Sequence, residues 1–148
     1  MKTNRLARAS IIAGAYVVIT YILQPISFGP IQLRISEALT VLPILYPEAV
    51  PALFIGVMLA NLWSPLGLVD IFGGSIVTLI SAYVTYRLRG SVLAYLSPVL
   101  FNAILVSIYL HPVFGWPYWM TALSIGVSEA IVVFTLGYQL VKFLRGKV

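Results

Sequence analysis

The sequence predicts an all-α integral membrane protein. It reads as one transmembrane domain over residues 1–148, a bundle of about six transmembrane helices with the N- and C-termini cytoplasmic. Three observations lead there. Apolar residues make up 61% of the chain and charged residues 9%, where a soluble domain carries roughly a quarter charged residues. The apolar residues run together in long stretches. The bases sit between those stretches, not within them.

A spanning helix needs roughly 20 mainly apolar residues. The first candidate runs from about Leu6 to Leu23. No small-residue cleavage pattern follows it, so it reads as a membrane helix and not a removable signal. Pro25, Gly29 and Pro30 mark the loop that comes next. The second span, about Arg34 to Tyr46, is short and interrupted by Pro43. The third, about Glu48 to Leu62, carries Pro51 in its first turn. These two are expected to form a hairpin of short helices. The fourth runs from about Asp70 to Leu88, the fifth from Ser91 to Leu110, and the sixth from Pro117 to Phe143. Pro98 should kink the fifth.

Orientation follows from the bases, which favour the cytoplasmic side. Eight of the nine fall in Lys2/Arg5/Arg8, Arg87/Arg89 and Lys142/Arg145/Lys147. Six spans with an internal N-terminus put all eight inside, and Arg34 alone falls outside the pattern. A basic chain of this kind reads as a cell-membrane protein, multi-pass, surrounded by lipid. With no soluble basic face, no nucleic-acid partner is expected.

Composition also excludes chemistry. There is no cysteine and one histidine, His111, so no metal or thiol site is expected. No phosphate loop occurs, because Gly146-Lys147 is followed by Val148. No nucleophile and base stand at credible spacing. The chain is expected to be no enzyme and to need no cofactor; ATP hydrolysis, if it powers transport, falls to partner subunits.

Ionisable groups inside a span cost on the order of 2.5–3.5 kcal/mol each on insertion scales, and persist where they face a cavity or partner. Arg34, Glu37 and Thr40 recur every third residue and share a helix face. Asn61 closes the third span and Asp70 opens the fourth. Asn102 and Glu129 lie near the middle of the fifth and sixth. In the expected orientation the first group falls towards the outer side and the last two near mid-depth. That asymmetry predicts a pocket that opens outward and closes halfway down.

Plainer readings stand beside this. Arg34 and Glu37 can pair with each other, Asp70 can cap its helix, and the asparagines can join helices. Glu48 reads as a solvated cap. Tyr109, His111, Phe114, Trp116, Tyr118 and Trp119 fit an interfacial belt, or a lid in which Trp116 and Trp119 stack on a planar ligand. The small-residue pairs Ala9/Ala13 and Ser10/Gly14 fit packing within the bundle or docking of another membrane subunit.

Longer motifs add a resemblance. Arg34-Ile-Ser-Glu-Ala-Leu-Thr-Val-Leu-Pro43 is followed by Ala49-Val-Pro-Ala-Leu-Phe-Ile-Gly56 and Leu59-Ala-Asn61. Asp70-Ile-Phe-Gly-Gly-Ser75, Thr78-Leu79, Pro98-Val-Leu-Phe-Asn102, Gly126-Val-Ser-Glu129 and Leu136-Gly137 complete the series. Over roughly residues 10–140 the chain resembles the queuosine-precursor transporter family, substrate-binding (S) components of energy-coupling-factor (ECF) transporters. Ala52 and Ser128 stand where glycine is expected. The resemblance implies a substrate-binding S component of an ECF importer that takes a 7-deazaguanine (preQ1, preQ0 or queuine) from outside. It would work with a transmembrane coupling subunit and two ATPase subunits. It implies substrate contacts from Arg34, Glu37, Asn61, Asp70, Asn102, Glu129, Trp116 and Trp119, with Ala9 and Ala13 facing the coupling subunit. Glu129 would take the N–H edge of the base and Glu37 its orientation or amine. The alternatives are an S component for another vitamin, a proton-coupled secondary transporter working through Glu129, and a scaffold whose acids only join helices.

Overall fold

In the computed structural model, which describes residues 2–28 and 32–148, every regular element is helical. Gly29 and Pro30, read as part of the first loop, lie outside the described residues. Six helices follow the order expected: α1 (Lys2–Ile22), α2 (Ile35–Ile44), α3 (Ala49–Trp63), α4 (Leu68–Arg87), α5 (Leu93–Phe114) and α6 (Tyr118–Arg145). Four of them, α1, α4, α5 and α6, are long and apolar enough to cross a membrane.

The other two are short. α2 has 3-10 geometry over ten residues, which at about 2.0 Å per residue is roughly 20 Å. α3 is an α-helix closed by one 3-10 turn, Asn61–Trp63, and spans about 22 Å at about 1.5 Å per residue. Neither equals a hydrocarbon core of about 30 Å. The tight winding of α2 has local causes. Pro43 has no N–H to donate, and the Thr40 hydroxyl donates back to the Glu37 carbonyl at 2.6 Å, competing with the α-helical ladder.

α2 sits at the centre. Eight of its ten residues are buried, and it packs on α1, α4, α5 and α6. Around it α1 lies on α3, α3 on α4 and α4 on α5.

The surface is inverted relative to a soluble protein. On α4, Phe72, Ile76, Ile80 and Tyr83 face outward, while Asp70, Ser75, Thr78, Ser81 and Thr85 are buried. Leu100, Ile104 and Ile108 on α5 and Leu123, Val127 and Ile131 on α6 form similar exposed stripes. Apolar outside and polar inside is the arrangement that lipid as solvent favours.

Pro98 lies inside a helix that continues past it. Its ring displaces the hydrogen bond that the Ala94 carbonyl would otherwise accept, and the Thr85 hydroxyl donates to that carbonyl at 3.3 Å. α5 then widens into π geometry over Asn102–Val106, as α6 does over Val133–Gly137. Wide turns of this kind often mark functional positions, and each lies at or just beyond a polar mid-helix residue, Asn102 or Glu129.

The basic clusters share one end of the bundle. Arg8 reaches Glu48 in the α2–α3 turn at 2.5 Å and lies over the Tyr46 ring at 4.4 Å. Leu140 and Leu144 of α6 pack against the core cluster that Tyr46 also joins, and Leu88 and Tyr95 pack with Val141. Glu48 is thus the partner of Arg8 and not a solvated cap, because the turn brings its carboxylate under the first helix.

The α1–α3 crossing depends on Gly56. A Cβ there would stand 3.2 Å from the Cα and carbonyl oxygen of Ala13 and from Tyr16 Cβ. Ala9 and Ala13 are half-buried against the same cluster, whereas Ser10 and Gly14 face outward. Gly56→Val should lower unfolding stability in detergent by about 1–3 kcal/mol, the usual cost of overpacking. A thermal midpoint unchanged from wild type would show that the crossing tolerates a branched side chain.

Candidate binding site

The polar residues converge in two networks that face one cavity. The first is built on Asp70, fully buried in the opening turn of α4. Arg34 Nη2 donates to Asp70 Oδ2 at 3.2 Å, and Ser64 Oγ donates to the same oxygen at 2.7 Å. Tyr109 donates its hydroxyl to Asp70 Oδ1 at 2.9 Å. The Asn61 amide donates to the Asp70 backbone carbonyl at 2.7 Å. Arg34 is further fixed by Nε donating to the Ser27 carbonyl at 3.1 Å, with Phe28 against its guanidinium at 5.0 Å.

This settles two readings of the sequence. Arg34 pairs with Asp70 and not with Glu37, because it lies on extended backbone just before α2, off the row that Glu37 and Thr40 share. Asp70 is no helix cap: Gly67 holds that position, and both carboxylate oxygens of Asp70 accept bonds from outside its own helix.

The second network joins the mid-depth acids. Asn102 Nδ2 donates to Glu129 Oε1 at 2.9 Å and lies 3.4 Å from Glu37 Oε2. The Tyr16 hydroxyl donates to Glu37 Oε1. Thr20 and Ser36 join α1 to α2 nearby through their hydroxyls at 2.7 Å. A single asparagine amide thus serves two buried carboxyl groups from different helices, and no base contacts either of them among the described residues.

Between the networks lies a cavity of about 20 Å³, room for about one water. Arg34, Glu37, Asn102 and Glu129 line it, with Gln32 and Tyr109 towards the Asp70 side and Gly74, Thr78, Val106 and Ile125 completing the wall. Gly74 is required by close approach: a Cβ there would stand 2.7 Å from Asn61 Nδ2.

Of the eight residues expected to contact substrate, Arg34, Glu37, Asn102 and Glu129 line this cavity. Asp70 and Asn61 do not line it: Asp70 holds Arg34, and the Asn61 amide holds the Asp70 backbone carbonyl. Trp116 and Trp119 do not line the cavity. Trp119 is 75% exposed, with its ring against Tyr118 at 5.3 Å. Left-handed Gly115 ends α5 and α6 restarts after Pro117; Trp116 between them is half-buried. Sequence reasoning passed over Tyr16 and Ser64. The available signal for Tyr16 was a phenol in the apolar middle of α1, between Ile11 and Ile19.

An all-helical chain with an apolar exterior, an enclosed polar centre and four helices long and apolar enough to cross a membrane has the make-up of a helical membrane protein. The chain belongs to the QueT transporter family: the family model matches residues 6–146. No curated protein and no solved structure matches it.

Removing one partner of a buried ion pair strands the other, at a cost of about 3–5 kcal/mol. Asp70→Asn should therefore destabilise the protein by about that amount, read as a loss of thermal stability in detergent. Asp70→Asn combined with Arg34→Gln should recover part of it. A single variant as stable as wild type would mean that the pair is not a structural anchor.

Proposed function

We propose that this transporter is the substrate-binding S component of an ECF-type importer, and that its central site takes a 7-deazaguanine queuosine precursor from the outer side. The observation that carries the substrate reading is the Glu37–Asn102–Glu129 arrangement. Glu37 and Glu129, from different helices, converge on one amide donor, so a donor-rich ligand can replace that amide on both.

A 7-deazaguanine supplies such donors. Its pyrimidine edge presents adjacent N–H groups beside a carbonyl, and a carboxylate accepts the pair bidentately. Glu129 would take that edge. Glu37 would take the aminomethyl ammonium of preQ1 or the secondary amine of queuine, charge-assisted bonds being stronger than neutral ones. Arg34 keeps Nη1 without a hydrogen-bond partner among the described residues, while Nε and Nη2 are committed. Nη1 would donate to the ligand carbonyl. The nitrile of preQ0 offers no second donor, so preQ0 should bind more weakly than preQ1.

A bicyclic base is far larger than the cavity, so binding must draw the walls apart. The two widened turns beside Asn102 and Glu129 are where such movement costs least, because their backbone hydrogen bonds are already displaced from the α-helical pattern. The gathering of the bases at one end supports cytoplasmic termini and an outward-facing site. With no ATP-binding motif in the chain, uptake would draw on the coupling subunit and the two ATPase subunits.

The deciding experiment is calorimetric titration of the detergent-purified protein with preQ1, preQ0, queuine, guanine and riboflavin. Tight binding of preQ1 or queuine, with riboflavin silent, is expected. Glu129→Gln and Glu37→Gln should each weaken preQ1 about 10–100-fold, the worth of a hydrogen bond to a charged group, in proteins whose thermal unfolding shows them folded. Folded wild-type protein that binds none of the five would falsify the substrate reading. Uptake by vesicles lacking ATPase subunits but carrying a proton gradient would favour a secondary transporter.

A further inference from the structure

The bases at the end of the bundle shared by the three clusters are not equivalent. Arg8 is held by Glu48 and Tyr46. Arg87 donates to the Tyr83 hydroxyl at 3.2 Å. Arg89 lies over the Tyr86 ring at 4.7 Å and Lys147 over the Phe143 ring at 4.2 Å. Lys142 and Arg145 have neither an ion pair nor a hydrogen bond among the described residues. They stand three apart on one face of α6, and both line a cleft of about 340 Å³ between α5 and α6.

The rest of the cleft is Tyr95, Tyr138, Val141 and Gly146. No acid lines it. Val141 forms a buried apolar floor. The Tyr95 and Tyr138 rings, 5.9 Å apart, form one wall. A Cβ on Gly146 would meet only the Phe143 carbonyl, at 3.6 Å, so the rim is open. From the mouth, the exposed side chains of Tyr138, Phe134 and Ile131 continue along α6 as apolar surface. Tyr95 and Phe134 approach within 6.4 Å, so this strip is continuous with the aromatic wall.

Two uncompensated cations in a concave site, at the point where a spanning helix leaves the bilayer, match a phosphodiester. Phosphate oxygens accept strong charge-assisted bonds from lysine and arginine, and basic pockets between helices at the membrane surface hold anionic lipid head groups. The apolar strip running from the mouth fits the acyl chains of the same molecule. A positive-inside belt explains bases at this end, but requires neither a cleft nor the absence of partners. We propose that the Lys142–Arg145 cleft binds the head group of an anionic phospholipid, separately from the transport site.

Native mass spectrometry of the full-length protein, offered phosphatidylglycerol and phosphatidylcholine in equal amounts, tests this. Wild type should retain phosphatidylglycerol over phosphatidylcholine by about tenfold or more, given about 1 kcal/mol per base at a membrane surface. Lys142→Gln/Arg145→Gln should bring the ratio close to unity with thermal unfolding unchanged. Lys142→Arg/Arg145→Lys, which keeps both charges, should preserve the preference. Arg87→Gln/Arg89→Gln removes the same charge from the neighbouring cluster and should also preserve it. Equal retention of the two lipids by wild type would overturn the assignment and leave the cleft to an acidic protein segment. An equal loss in both Gln double variants would overturn it in favour of diffuse charge.

Discussion

A charge inside a lipid-facing bundle has no water to fall back on, and the polar centre of this protein is organised around meeting that constraint. The Arg34 guanidinium and Asp70 carboxylate are both nearly or wholly buried. Each is held by further donors or acceptors: Ser64, Tyr109 and the Asn61 amide around Asp70, and the Ser27 carbonyl and Phe28 ring around Arg34. Coulombic attraction at low dielectric repays desolvation only when the remaining donors and acceptors are satisfied as well. The pair ties the residue entering α2 to the first turn of α4, so it fixes where the short central helix begins. Every residue on α2, Glu37 included, takes its position from that anchor.

The second consequence concerns division of labour. With Arg34 bonded to Asp70, the two mid-depth carboxyl groups take their hydrogen bonds from neutral donors, a tyrosine and an asparagine, while the guanidinium lines the same cavity. Two acids then face one cation, and the ammonium and N–H groups of the proposed ligand would supply the missing partners. The structural acid and the proposed binding acids are chemically alike. They differ in what surrounds them: Asp70 has a cation and several donors, whereas Glu37 and Glu129 share one amide. This is why the proposed substrate contacts fall on Glu37 and Glu129, with Asp70 positioning Arg34.

Short helices make this arrangement possible. α2 and α3 do not match the thickness of the hydrocarbon, yet together they bring a polar loop, a 3-10 helix and the Asn61 turn to the interior without exposing backbone to lipid. Irregular backbone at membrane depth is tolerated only where protein buries it, and α1, α4, α5 and α6 supply that cover. The α5 ladder at Pro98 follows the same logic, since the Thr85 hydroxyl satisfies the Ala94 carbonyl that Pro98 strands.

The helical membrane class, the order and approximate bounds of six helices and the clustering of bases were all legible in the sequence. They depend on local composition and on the hydrophobic run length that lipid demands. The polar residues that matter were legible as well, because an ionisable group in a span is costly wherever it points. Their pairing was not. Spacing alone allowed Arg34 to meet Glu37 and left Glu48 in water. Tertiary structure sent Arg34 to Asp70 and Glu48 to Arg8, and it brought Tyr16 to Glu37. Partner choice between helices is set by how their axes cross and rotate, and that depends on contacts such as Gly56 against Ala13 that lie far apart in the chain.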